Sequence, residues 1–204
     1  RQNNPSTIAE LESEVAISTN RNLFTLSGYN AKGQFEWARD SASNTTWYAY
    51  NDYGQRYATI RNTGDTHVAL TSTQLENATY VLGLLNDDDF SVSYTVYSPE
   101  GQTLATYGNA YPVAYEYDDQ NRMVAMATTR NESLRTDNLL TQLPAGETLS
   151  TWQPAESNKI DITKWEYDSA TGLLTEKVYS DGNGPSYSYT ADGKLTRRTW
   201  ARGI

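Results

Sequence analysis

Apolar and polar positions alternate with a period of two in short runs along this chain. Tyr115-Glu116-Tyr117, Trp165-Glu166-Tyr167 and Tyr187-Ser188-Tyr189 each put two rings on one side and a polar residue on the other. That is the pattern of a strand with one buried face. Leu173 to Tyr179 and Lys194 to Trp200 read as return strands. The unit predicted is strand, tight turn, strand.

A recurring phrase marks the turns: tyrosine, a turn former, two or three loop residues, then glycine. It reads Tyr29-Asn30-Ala31-Lys32-Gly33, Tyr50-Asn51-Asp52-Tyr53-Gly54, Tyr97-Ser98-Pro99-Glu100-Gly101, Tyr117-Asp118-Asp119-Gln120-Asn121 and Tyr189-Thr190-Ala191-Asp192-Gly193. A copy one residue longer is Tyr167-Asp168-Ser169-Ala170-Thr171-Gly172. A type I turn followed by a left-handed residue explains the order. Asn, Asp or Ser at the first turn position can bond the backbone ahead, and proline suits the second, as at Pro99. The last position needs a positive φ, which glycine adopts at no steric cost, and asparagine is the next-best choice at Asn121.

The six tyrosines are separated by 21, 47, 20, 50 and 22 residues. The short steps set a period of about 20 residues. The long steps predict either a degenerate copy or an insertion, in irregular stretches near 66–89 and 131–161. Tyr80-Val81-Leu82-Gly83 reads as worn-down strand material, and Pro144-Ala145-Gly146 and Gln153-Pro154 mark the second stretch as loop-rich. Residues 1–22 form a separate N-terminal segment, where Ser6 to Leu11 has a capping-box pattern that predicts a short helix over Thr7 to Glu14.

Composition narrows the function classes. No cysteine is present, which removes disulfides, thiolate nucleophiles and cysteine metal sites. A net charge of −9 disfavours nucleic acid, and no apolar run approaches the length of a membrane span. The 16 tyrosines and 5 tryptophans against 3 phenylalanines favour half-buried strands. The chain opens at Arg1 without a signal-peptide pattern, which reads as a mature product or an excised fragment.

These residues resemble the RHS/YD-repeat family, named for its Tyr-Asp pair. Tyr115 to Val124 and Trp165 to Thr175 carry the resemblance best, with Tyr187 to Leu195 a third copy in which Thr190 replaces the aspartate. The resemblance runs from about Leu23 to the end, apart from the two irregular stretches. It implies an all-β array of antiparallel hairpins joined into one long curved or rolled sheet, as in bacterial toxin-complex shells, polymorphic toxins and teneurins. The implied partners are the rest of a larger parent chain or an enclosed toxin cargo. The family's aspartate-proline autocleavage motif is absent, since no Asp-Pro pair occurs. Roughly six to eight repeats are too few to close a shell.

Candidate chemistry is sparse. The single histidine, His67, has no signature around it. Glu116 and Glu166 occupy the same place in their repeats; a hydrolase would need such a pair of carboxylates, and the repetition explains them equally as the polar side of a strand. Asp118 and Asp168 read as turn formers. Asp87-Asp88-Asp89 could offer carboxylates to calcium but lacks the glycine and distal glutamate of a calcium loop, and reads as a solvated loop tip. Asn44, Asn77 and Asn131 begin glycosylation-type triplets. An aromatic stripe of Tyr115, Tyr117, Trp165, Tyr167, Tyr187 and Tyr189 would suit a carbohydrate-binding module, against the plainer reading that these rings stack to form the sheet's core. The leading expectation is a non-enzymatic structural scaffold in a secreted or cell-surface protein, serving as toxin shell or adhesion surface. It carries no catalytic residues, metal or cofactor, and its exposed edge strands could pair with a second copy.

Overall fold

The computed structural model describes residues 25–64 and 68–201. The N-terminal segment with its expected helix, and His67, lie outside the described residues. Twelve strands form a single antiparallel sheet in strict chain order: β1 (Thr25–Tyr29), β2 (Phe35–Asp40), β3 (Thr45–Tyr50), β4 (Arg56–Asn62), β5 (Phe90–Tyr97), β6 (Thr103–Gly108), β7 (Val113–Tyr117), β8 (Met123–Thr129), β9 (Ile160–Tyr167), β10 (Leu174–Val178), β11 (Ser186–Tyr189) and β12 (Leu195–Thr199). β1 and β12 do not pair with each other, so the sheet is open.

Each tyrosine phrase joins an odd strand to the next even one, giving six hairpins whose turns share one sheet edge. The side chains of Asn30, Asn51, Asp118 and Asp168 accept main-chain N–H groups ahead of them at 2.7–3.1 Å. Gly54 at φ +78° and Asn121 at φ +62° hold the left-handed position. The same turn occurs twice on the opposite edge, at Asp40–Asn44 with Ser43 left-handed and at Tyr179–Asn183 with Gly182 left-handed. The first escapes the sequence pattern because a serine stands where glycine is expected.

Every hairpin also slips register beside its tyrosine, leaving Glu36, Tyr57, Leu104, Val124, Thr175 and Thr196 as extra residues on the return strands. A bulge of this kind re-aims a side chain. Here it turns Tyr57 toward the first insertion, where its hydroxyl donates to Leu75 O at 2.7 Å. Glu36 likewise accepts from the Ser72 hydroxyl at 2.9 Å.

The long steps are insertions, and among the described residues neither hides a strand. Between β4 and β5 the chain forms α1 (Ser72–Glu76) and α2 (Ala78–Gly83). Thr71 and Gln74 make a capping box for α1, and Asn77 caps α2 by accepting from Tyr80 N. Tyr80 to Gly83, expected as strand, is therefore helical: a short apolar run has no period of its own, and the cap decides. Between β8 and β9 the chain is loop with three short 3-10 turns, as its proline and glycine content predicts. Asn131 caps the first of these by accepting from Ser133 N.

Both insertions cover the same face of the sheet. Leu70, Leu75, Val81 and Leu84 pack on Trp47, Ala58, Ile60 and Val92. Leu139, Leu149 and Trp152 pack on Ala105, Ala114, Ala125, Ala127 and Ile162. The alanines under the second insertion have no exposed surface, so the loop sits directly on the strands. The chain thus builds two cores on one side of the sheet. Among the described residues the other side carries no insertion.

Candidate functional site

The uncovered side of the sheet holds the aromatic stripe. Lys164 reaches the second insertion by donating to Ser150 O, so its strand neighbours Thr163 and Trp165 point the other way. Tyr115, Tyr117, Trp165, Tyr167, Tyr187 and Tyr189 all lie on this uncovered side and are all half-buried. They do not stack ring on ring as a ladder of core residues would. The close ring pairs lie elsewhere, as in Tyr57–Tyr94 and Tyr94–Tyr107 on the covered side, at 5.2 and 5.1 Å. Burial there pushes the Tyr57 and Tyr107 hydroxyls up to about 12.

The tyrosine of the phrase has a job in joining hairpins. Tyr50 donates its hydroxyl to Phe35 O, Tyr97 to Arg56 O, Tyr167 to Met123 O and Tyr189 to Leu174 O, at 2.8–3.0 Å. Each acceptor opens the return strand of the preceding hairpin. Of the five tyrosines with a hairpin before them, Tyr117 alone lacks this bond among the described residues.

The turns are tied in the same direction. The residue after each left-handed position reaches the next turn: Gln102 Nε2 donates to Asn121 Oδ1 at 3.0 Å and Arg122 Nη1 to Gly172 O at 3.2 Å. Gln34 and Gln55 lie against Gly54 and Gly101 in the same way. Arg122 also pairs with Asp118 at 2.7 Å and lies 4.3 Å above the Tyr167 ring. Desolvation works against the charged Asp118, but the Arg122 side chain and main-chain N–H groups prevail and hold its carboxyl below the usual value.

The two regular glutamates are not brought together. Glu116 stands opposite Ala125, and Ala125 opposite Lys164. Glu116 is therefore level with Lys164 and two residues short of Glu166. Its carboxylate accepts from Ser150 N and Ser150 Oγ, both at 2.7 Å, which pins the second insertion, while Glu166 is exposed. Asp87, Asp88 and Asp89 form an exposed tip before β5, where Asp87 accepts from Asp89 N. Among the described residues no three His, Cys, Asp or Glu side chains converge as a metal site.

One cleft of about 640 Å³ opens at the edge away from the phrase turns, between the second insertion and the β10–β11 link. Two of its charged groups engage each other. Arg130 pairs with Asp161 at 2.7 Å, and this bond holds the Asp161 carboxyl below its ordinary value. Ser180 donates to the same carboxylate at 3.2 Å.

The stripe has neighbours that the sequence pattern did not single out. Lys177 Nζ lies 5.0 Å from both the Trp165 and the Tyr179 rings. Arg198 lies 5.7 Å from the Tyr187 ring and 3.7 Å from that of Trp200. A signal for them exists in Lys177-Val178-Tyr179 and Arg198-Thr199-Trp200, a cation and a ring two apart at the same distance past the turn.

Fold and site together define an open, antiparallel array of β-hairpins with an aromatic uncovered face. Crystal structures of TcdB2-TccC3, TcdB2-TccC3-Cdc42 and TcdB2-TccC3-TEV share this fold over 85% of the chain, at TM-scores of 0.54, 0.53 and 0.51 and 13% identity. The chain spans 8% of the length of those chains. No family model matches it, and no curated protein matches it in sequence. Among the described residues no helix is long and apolar enough to cross a membrane.

Proposed function

We propose that this chain is part of a non-enzymatic repeat scaffold of the RHS/YD type, belonging to a secreted or cell-surface protein in which it forms toxin shell or adhesion surface. The observation that carries the reading is the tyrosine bond between hairpins. The residues that recur are spent on joining one hairpin to the next, through hydroxyl latches, turn-to-turn contacts and a shared bulge. A protein built to catalyse would be expected to reserve some recurring polar groups for a pocket. Here Glu116 holds an insertion and Asp118 and Asp168 hold turns. The likeness to TcdB2-TccC3, of which the chain spans a small part, supports the same reading. The rest of a parent chain is then the principal partner, with enclosed cargo a second.

Recovering the sequence that flanks these residues in the parent gene tests the proposal. Further hairpins with the tyrosine-to-glycine phrase at a spacing of about 20 residues, continuing on either side, are the expected result. A gene encoding these six hairpins and a separate enzyme domain, with no further repeats, would overturn it. A screen of glycoside and ester substrates should also show no turnover that disappears in Glu116→Gln or Glu166→Gln.

A further inference from the structure

We propose that a cleft beside the first insertion binds a quaternary ammonium group of the choline type. Its rings are Tyr53, Tyr57, Tyr94 and Tyr97, and its carboxylates are Asp52 and Glu76. The cleft, of about 710 Å³, opens between the second and third phrase turns and the junction of α1 with α2.

Repeat register makes two of these rings stand out. Just before the left-handed residue, the five-residue phrases carry Lys32, Tyr53, Glu100, Gln120 and Asp192. The bulge carries Glu36, Tyr57, Leu104, Val124, Thr175 and Thr196 in the six hairpins. Only the second hairpin places a ring at either position, so neither the turn nor the bulge requires one. Tyr53 is moreover 79% exposed. The other rings are held in place. The Tyr57 and Tyr97 hydroxyls donate to Leu75 O and Arg56 O at 2.7 and 3.0 Å, and the Tyr94 ring lies 5.2 Å from that of Tyr57. Such bonds occupy the phenol oxygen and leave the π electrons for a ligand. Rings already ordered in this way lose little freedom when one binds.

Charge points to the occupant. Tyr48, Tyr111, Tyr167, Tyr179 and Tyr187 each have a lysine or arginine of the chain over the ring. Among the described residues none of the four rings in the cleft does. Asp52 and Glu76 are exposed and form no ion pair among the described residues. Lys32 also lines the cleft, so two carboxylates stand against one ammonium and the lining is negative. A negative cleft walled by tyrosines suits a cation that can touch the rings directly. A primary ammonium is a compact, strongly hydrated charge that would have to shed water against apolar rings. Methyl groups spread the charge of a quaternary ammonium and give it an apolar surface to lay on them. Burial raises the Tyr57 and Tyr94 hydroxyls above their ordinary value, so both rings stay neutral phenols at pH 7.

This site does not rest on the scaffold reading, which survives if no ammonium binds. Titration of the full chain with choline and with its neutral carbon isostere, 3,3-dimethyl-1-butanol, decides the matter, with the methyl NMR signal of each ligand as the readout. Choline is expected to bind saturably, with an affinity that falls as salt is added. The isostere has the same shape without the charge and should bind about tenfold more weakly. Tyr53→Ala should weaken choline binding by about two- to fivefold, and Glu76→Gln by up to about fivefold. Both positions are exposed, so these variants should melt at the wild-type temperature. Absence of saturable choline binding by the wild type overturns the proposal. So does equal binding of the isostere, or unchanged affinity in the Tyr53→Ala/Glu76→Gln double variant.

Discussion

The hydroxyl of Tyr167 donates to the main-chain carbonyl of Met123 at 2.9 Å, across 44 residues of sequence. The bond spans the whole second insertion and joins the fifth hairpin to the fourth. Its counterparts from Tyr50 and Tyr189 span only 15 residues. The latch is thus set by the order of hairpins in the sheet and not by their distance along the chain.

Removing that hydroxyl should weaken the seam between the hairpins. Tyr167→Phe keeps the ring and leaves Met123 O without its partner, at a cost of about 1 kcal/mol for a half-buried bond. Tyr117→Phe should cost much less, because Tyr117 makes no latch. Urea unfolding of the two variants checks the difference, and equal losses would contradict the latch.

Glu116 should control the second insertion. Glu116→Ala removes two charge-assisted bonds to Ser150, worth about 1.5–3 kcal/mol between them given partial exposure. The expected signature is local: faster hydrogen exchange and proteolysis within residues 130–159, with the first insertion unaffected. Glu166→Gln, at an exposed position, should change neither.

The left-handed positions give a test with opposite signs. Ser43 adopts φ +68°, a conformation that costs a residue with a Cβ about 1–2 kcal/mol. Ser43→Gly relieves this but frees the unfolded chain, for a net gain of about 0.5 kcal/mol. Gly54→Ala should lose about 1 kcal/mol, since φ is +78° and the new Cβ meets Gln34 Nε2 at 3.3 Å. Thermal melts of the two variants should move in opposite directions.

Acid should loosen the turns. Hydrogen bonds from the Thr171 side chain and main-chain N–H hold the Asp168 carboxyl below its ordinary value, and those from Asn44 do the same for Asp40. A carboxyl lowered in the folded state favours folding above the unfolded value, near 4, and that contribution is lost as pH falls through the lower folded value. Melting temperature should hold steady from pH 7 to about 5 and fall below about 4. Asp168→Asn keeps an acceptor of the kind that Asn30 and Asn51 supply in their turns. It should therefore fold normally at pH 7 and lose less stability on acidification.

The sequence by itself determined the repeating unit. Turn stereochemistry is decided within four or five residues, so Asn51 with Gly54, or Asp118 with Asn121, could be read without knowing what surrounds them. Strand alternation beside each turn is equally local, and it placed β7, β9 and β11 and the return strands β10 and β12. Only the tertiary structure decided what the rings and acids do. Nothing near Tyr167 in sequence reveals Met123 as its acceptor, and nothing near Glu116 reveals Ser150. Those partners meet because the sheet stacks hairpins in order and the insertions fold back over one side. Tyr80 to Gly83 became helix because Asn77 capped it and Val81 found the core. The pairing of Lys177 with Trp165 likewise required the β9–β10 register, which a one-residue slip would have turned to the opposite face.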